Sequence, residues 1–216
     1  MNPIESEQQK QLNELIQLYP NIASCEQDIA QAYCILRDCY LNQGKLLIAG
    51  NGGSAADAEH ITGELMKSFK KSRDLPIELK QKLVELDPIR GKYLGQTLEQ
   101  PLTAIALVCH EALSTAFLND RDGKAIFAQQ VLGYGKSGDV LLGISTSGNS
   151  ENVLYAAIMA KTLGMKVVAL TGAEGGKLKE LADCSIRVPE TETYKIQELH
   201  LPVYHCLCMM LENYFW

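Results

Sequence analysis

Apolar positions along the chain follow two rhythms. Up to residue 43 they recur every three or four places, with Ile22, Ile29, Tyr33, Ile35, Leu36 and Cys39 marking one helix face. Pro20-Asn21 interrupts that region, so two helices are predicted, the second stopping at Gly44. From Lys45 onward short, continuously apolar runs take over at 45–50, 102–108, 139–145, 166–171 and 184–188, and helical patterns follow most of them. Continuous rather than alternating runs suit strands covered on both faces. Strands joined by helical crossovers predict an α/β protein, a three-layer αβα sandwich with a five-stranded, mainly parallel sheet, whose ligands collect at the carboxyl ends of the strands. Residues 72–100 break the rhythm with an amphipathic helix at 77–86 and a polar helical stretch reaching Pro101. They read as an insertion on the outside of a single domain spanning 1–216, either a lid or an oligomer contact.

Bulk composition removes several function classes. The 216 residues carry a formal net charge of −6, against a nucleic-acid-binding surface. The local basic group Lys67, Lys70, Lys71 and Arg73 reads as a solvated helix end. Seven cysteines, an odd number without a CxxC pair, fit buried free thiols in a reducing cytoplasm, and Cys206 and Cys208 read as core. Met1–Glu7 has neither a basic nor an apolar leader region, and no apolar run approaches the roughly 18 residues that span a bilayer.

Two strand ends then carry the chemistry. Gly50-Asn51-Gly52-Gly53-Ser54 and Ser145-Thr146-Ser147-Gly148-Asn149-Ser150 each run from a predicted strand into a predicted helix, aiming main-chain N–H groups and a positive helix end at an anion. The first also satisfies G-x-G-x-x-A, but the acidic residue that a dinucleotide site wants about 20 positions on falls in the polar stretch 70–74, so that reading is weak. No Lys follows Gly148, which sets aside a nucleotide P-loop and favours a phosphate monoester. His60 and Glu64, at i and i+4, share a helix face beside the first loop. Gln197, His200 and His205 lie on a C-terminal helix in which Pro202 predicts a kink or an early helix turn; His200 is the better candidate for a core position.

Together these residues resemble the sugar isomerase (SIS) domain, flavodoxin-like in architecture, and within it the phosphoheptose isomerases. The carriers are residues 50–54, His60-x-x-x-Glu64, Asn119-Asp120, residues 143–150, Leu170-Thr171-Gly172 and Ile196-Gln197-Glu198-Leu199-His200. The resemblance implies interconversion of sedoheptulose 7-phosphate and D-glycero-D-manno-heptose 7-phosphate for surface polysaccharide. Substrate contacts are implied at Asn51, Gly52, Gly53, Ser54, Glu64, Asn119, Asp120, Ser145, Thr146, Ser147, Ser150 and Gln197. Glu64 is implied as base and His205 as its acid partner. A zinc site is implied at His60, Glu64, Gln197 and His205, with no nucleotide cofactor. It further implies a cytoplasmic homotetramer with sites between subunits and no membrane or nucleic-acid partner. The rival reading is a non-catalytic SIS module that binds a phosphosugar or a replication initiator; retention of Glu64 and His205 favours catalysis.

Overall fold

The computed structural model describes residues 4–216, so the leader reading at Met1–Pro3 lies outside the described residues. Strands β1 (Leu46–Ala49), β2 (Ala104–Ala106), β3 (Val140–Ile144), β4 (Lys166–Thr171) and β5 (Cys184–Arg187) each fall inside a predicted run. They form one sheet in the order β2-β1-β3-β4-β5 with every neighbouring pair parallel.

Strand side chains alternate between two cores, which explains why the runs are apolar throughout. Leu46, Ile48, Val140, Leu142, Ile144, Val168 and Leu170 face a layer built by α1 (Ser6–Leu18), α2 (Glu26–Leu41), α3 (Gly53–Met66) and α10 (Thr193–Phe215). Leu47, Ala49, Leu141, Val167 and Ala169 face α7 (Ile126–Tyr134), α8 (Glu151–Thr162) and the short α9 (Leu178–Leu181). No helix among the described residues is long and apolar enough to cross a membrane. None of the seven cysteines, all among the described residues, forms a disulfide, and only Cys109 is exposed.

The structure refines one sequence expectation, narrows a second to a Pro202 well inside its helix, and corrects a third. Helix α2 ends as predicted near Gly44, but the left-handed turn residue is Gln43, at φ 59°. Gly44 is required for space instead, because a Cβ there would stand 2.7 Å from Cys39 Sγ and 2.9 Å from the Gly138 carbonyl. Helix α10 continues through Pro202 for three further turns. The carbonyl left without its helical donor belongs to Glu198, an exposed residue, where water can satisfy it. Finally, Arg73 is fully buried rather than solvated.

The insertion is a helical hairpin of α4 (Ile77–Leu86) and α5 (Pro88–Thr97). Asp87 caps α5 by accepting from the Ile89 and Arg90 amides, and only glycine at 91 lets α5 lie this close to the Leu83 carbonyl. An antiparallel bridge between Asp74 and Glu99 closes its base. Helix α4 buries no residue, so the hairpin packs chiefly on its own second helix. Helix α6 (Glu111–Asp120) also buries none.

Candidate functional site

Strand order reverses between β1 and β3, and the crevice at such a switch point is where parallel sheets bind ligands. Both glycine- and serine-rich loops open there. A cavity of about 370 Å³ is lined by Asn51–Ser54 from one loop, Ile144–Thr146 and Ser150 from the other, and Thr193 and Gln197 from α10. Neither α3 nor α8 uses a side chain to cap its first turn. The Ser145 and Ser150 hydroxyls bond each other at 2.9 Å instead; the Ser54 and Val153 amides turn to the Asn51 and Ser150 carbonyls, and those of Gly53, Glu151 and Asn152 are left to an anion. Two backbone conformations hold the loops open. Gly52 sits at φ 57°, and Gly148, at φ 65°, lies so close to the Gly175 carbonyl that a Cβ would overlap it. The side-chain amides of Asn51 and Asn152 exchange hydrogen bonds of 2.9 and 2.8 Å across the crevice, tying the two loops together.

The second half of the site runs along α3. Gly53, Asp57, His60 and Glu64 are spaced i, i+4, i+7 and i+11, one stripe facing α10. Seven residues separate Gly53 from His60, about 10 Å of helix rise. The crevice and the histidine cluster therefore lie on one face, separated by a span suited to an extended sugar phosphate. His60 Nε2 is 3.2 Å from Glu64 Oε1 and 3.4 Å from His205 Nε2. Glu64 Oε2 is buried without a hydrogen bond, although the Lys67 ammonium stands 3.5 Å away. On the far side, the Tyr204 hydroxyl donates to Asp57 Oδ1 at 3.2 Å and meets His60 Nδ1 at 3.0 Å. With its proton given to Asp57, that hydroxyl can accept from Nδ1–H, and the Glu64 carboxylate can accept from Nε2–H; which ring nitrogen carries the proton follows the tautomer. Burial, and then the neighbouring His60, lower the His205 pKa, which keeps its imidazole neutral near pH 7. Burial raises the pKa of Asp57.

Comparison with known proteins gives the family. The SIS domain family model matches residues 89–172, which include the Ser145–Ser150 loop but stop short of α10. A Helicobacter pylori (strain P12) phosphoheptose isomerase is 39% identical over 198 residues, covering 92% of this chain and 90% of its own. A Nitratiruptor phosphoheptose isomerase is 41% identical, covering 86% and 84% respectively. The chain belongs to the phosphoheptose isomerase family. Solved phosphoheptose isomerases share the architecture: that of Francisella tularensis superposes with TM-score 0.74 at 36% identity over 93% of this chain and 94% of its own, and that of Neisseria gonorrhoeae with 0.71 at 32% over 96% and 94%.

Most of the residues implied by the phosphoheptose isomerase resemblance fall into two groups. Asn51, Gly52, Gly53, Ser54, Ser145, Thr146, Ser150 and Gln197 share the cavity, while His60, Glu64 and His205 cluster together. Ser147 opens into an adjoining hollow with Gly172 and Glu190, its hydroxyl accepting from the Asn149 amide. Asn119 and Asp120 are exposed at the end of α6, bonded to each other and away from the cavity lining.

The implied zinc finds a partial donor set. Tetrahedral ligands at 2.0–2.1 Å lie about 3.3 Å from each other, and both His60 contacts have that length. Gln197, however, stands against Gly53, two helix turns back from His205. Among the described residues no group of three or more His, Cys, Asp or Glu side chains is disposed to hold a metal. The residues of one chain thus do not close a cage.

Sequence reasoning missed Asn152, Asp57 and Tyr204. Asp57 was legible on the α3 stripe, but Asn152 and Tyr204 gain their roles only through contacts 101 and 144 residues away.

Proposed function

We propose that the chain interconverts sedoheptulose 7-phosphate and D-glycero-D-manno-heptose 7-phosphate through an enediol. The observation that carries this reading is the meeting of Glu64 and His205 around His60 Nε2, on the stripe that begins at the phosphate-suited crevice. The phosphate would rest on the N–H groups of loops 50–54 and 145–150 and on the Ser145, Thr146 and Ser150 hydroxyls, with Asn51 and Gln197 serving the sugar; Asn119 and Asp120, away from this chain's cavity, would serve it only from a neighbouring subunit. Glu64 takes the proton from C1 of the ketose as the C1–C2 double bond forms, and later returns it to C2. His205, neutral at the working pH, gives a proton to the C2 oxygen and receives the one released by the C1 hydroxyl, so the two transfers balance. Triosephosphate isomerase divides a related task between a Glu and a neutral His.

Zinc at His60, Glu64, Gln197 and His205 is kept as a proposal that needs Gln197 nearer than one chain holds it, and no step above is routed through it. Support for a tetramer with shared sites comes from the apolar side chains that α6 and the hairpin leave exposed, among them Leu118, Leu86 and Ile89. Purified protein analysed for metal content and by light scattering tests both. Heptose supply for surface polysaccharide, in a cytoplasmic setting, is the use the resemblance implies.

Turnover of sedoheptulose 7-phosphate, followed by aldose formation, tests the central reading. Glu64→Gln is expected to lower kcat at least about 1000-fold, because the amide cannot accept the carbon-bound proton. Wild type and variant equally inert across several ketose phosphates would instead make the chain a binding module.

A further inference from the structure

Helices α3 and α10 run in the same direction, and their contacts step forward along both. Gly53 meets Gln197, His60 meets Tyr204 and His205, and just beyond the end of α3 Arg73 meets Glu212. This last contact is an ion pair with both partners buried, Arg73 at 0% and Glu212 at 1% exposure. Arg73 Nε and Nη2 lie 2.9 Å from Glu212 Oε1. The remaining guanidinium donors reach back to the carbonyls of Leu65 (2.7 Å) and of Glu64 itself (3.1 Å). Glu212 in turn accepts from the Phe69, Lys70 and Lys71 amides at 2.8, 2.7 and 3.0 Å. Burial alone would raise the Glu212 carboxyl, but these amides and Arg73 outweigh it and hold its pKa below the ordinary value. The indole of Trp216 covers the guanidinium at 4.7 Å.

A positive group at the C-terminal end of α3 is favourable in itself. Stability is nonetheless a weak reason for a buried ion pair, since well-packed apolar substitutes often do as well. Its placement is more informative. The pair fastens the main chain of Glu64 to a point two turns beyond His205 on α10, so it joins the two helices that carry the base and its partner.

We propose that Arg73 and Glu212 are positioning residues for proton transfer, a clamp that sets the separation of Glu64 from His205. Neither side chain touches the crevice; both act through the helices they hold. The clamp rests on the isomerase reading above. A carboxylate displaced by 1 Å leaves the substrate bound but spoils the line of attack on the carbon-bound proton.

The test compares Arg73→Gln, Glu212→Gln and the milder Trp216→Leu with wild type, using sedoheptulose 7-phosphate and the same sugar deuterated at C1. Circular dichroism and thermal melts establish that each variant is folded at the assay temperature. For the first two variants the expected result is kcat lower by about 10- to 100-fold, KM within about twofold, and a larger primary isotope effect, because proton abstraction has become slower. A merely structural role would reduce the amount of folded enzyme and leave the isotope effect unchanged; that outcome, or a wild-type kcat in a folded variant, overturns the clamp. Should the two polar variants fail to fold, Trp216→Leu decides: a fall in kcat with a raised isotope effect supports the clamp, and wild-type values overturn it. Wild type that leaves the sugar untouched overturns the isomerase reading and the clamp together, whereas active wild type with unaffected variants overturns the clamp alone.

Discussion

His200 should make the folded protein sensitive to mild acid. Its imidazole is wholly buried on α10, with neither ring nitrogen in a well-formed hydrogen bond. Burial lowers its pKa from 6.5 to about 4, against a smaller opposite effect of the Thr171 main chain. A base whose folded pKa lies below its unfolded one takes up its proton only in the unfolded chain at intermediate pH. The stability associated with keeping His200 neutral is therefore complete above about pH 7 and falls as pH drops through 6.5 toward 4. Below 4 both states are protonated and nothing further is lost. At 1.36 kcal/mol per pKa unit the full loss is about 3 kcal/mol, of which about 2 kcal/mol is gone by pH 5. Against a typical stability of 5–15 kcal/mol that is a large share. Urea unfolding at pH 7.5 and pH 5.0, on wild type and His200→Leu, measures it. Carboxylates held below their ordinary pKa, such as Asp183 and Glu212, add their own acid sensitivity to both proteins, so the difference between the two isolates His200. Wild type should lose about 2 kcal/mol more than the variant between the two pH values. Equal losses would refute the reasoning.

The crevice yields two further expectations. Gly148→Ala places a Cβ against the Gly175 carbonyl at a positive φ, so a stability loss above about 2 kcal/mol and weakened phosphate binding are expected, read by thermal melts and inorganic-phosphate titration. Asn152→Ala removes the amide pair that ties the loops and should cost about 1 kcal/mol of substrate affinity, a roughly fivefold rise in KM with kcat nearly unchanged; an unchanged KM would mean that the loops need no tie.

Much of this protein was legible as local pattern. Runs such as Val140–Ile144 are apolar at every position because helices cover both faces, so strand number and the three layers followed from sequence. The two loops could be read because glycine and hydroxyl residues at a strand end permit few conformations. The i, i+4 spacing of His60 and Glu64 fixed their common face before any fold was known. Resemblance supplied the rest of the site, including His205, whose role no spacing reveals.

Contacts between distant segments were invisible at that level. Arg73 read as a solvated charge because its neighbours Lys67, Lys70 and Lys71 are basic; only the arrival of Glu212, 139 residues on, gives it a buried partner. Tyr204 gains its role only because Asp57 and His60, on another helix, meet its hydroxyl. Sequence by itself determined the strands, the layers and the phosphate-suited loops, since these depend on periodicity and on backbone freedom within a few residues. Tertiary structure alone decided which of the charged and polar side chains are paired, because pairing depends on how α3 and α10 lie against each other, and that is a property of the whole core.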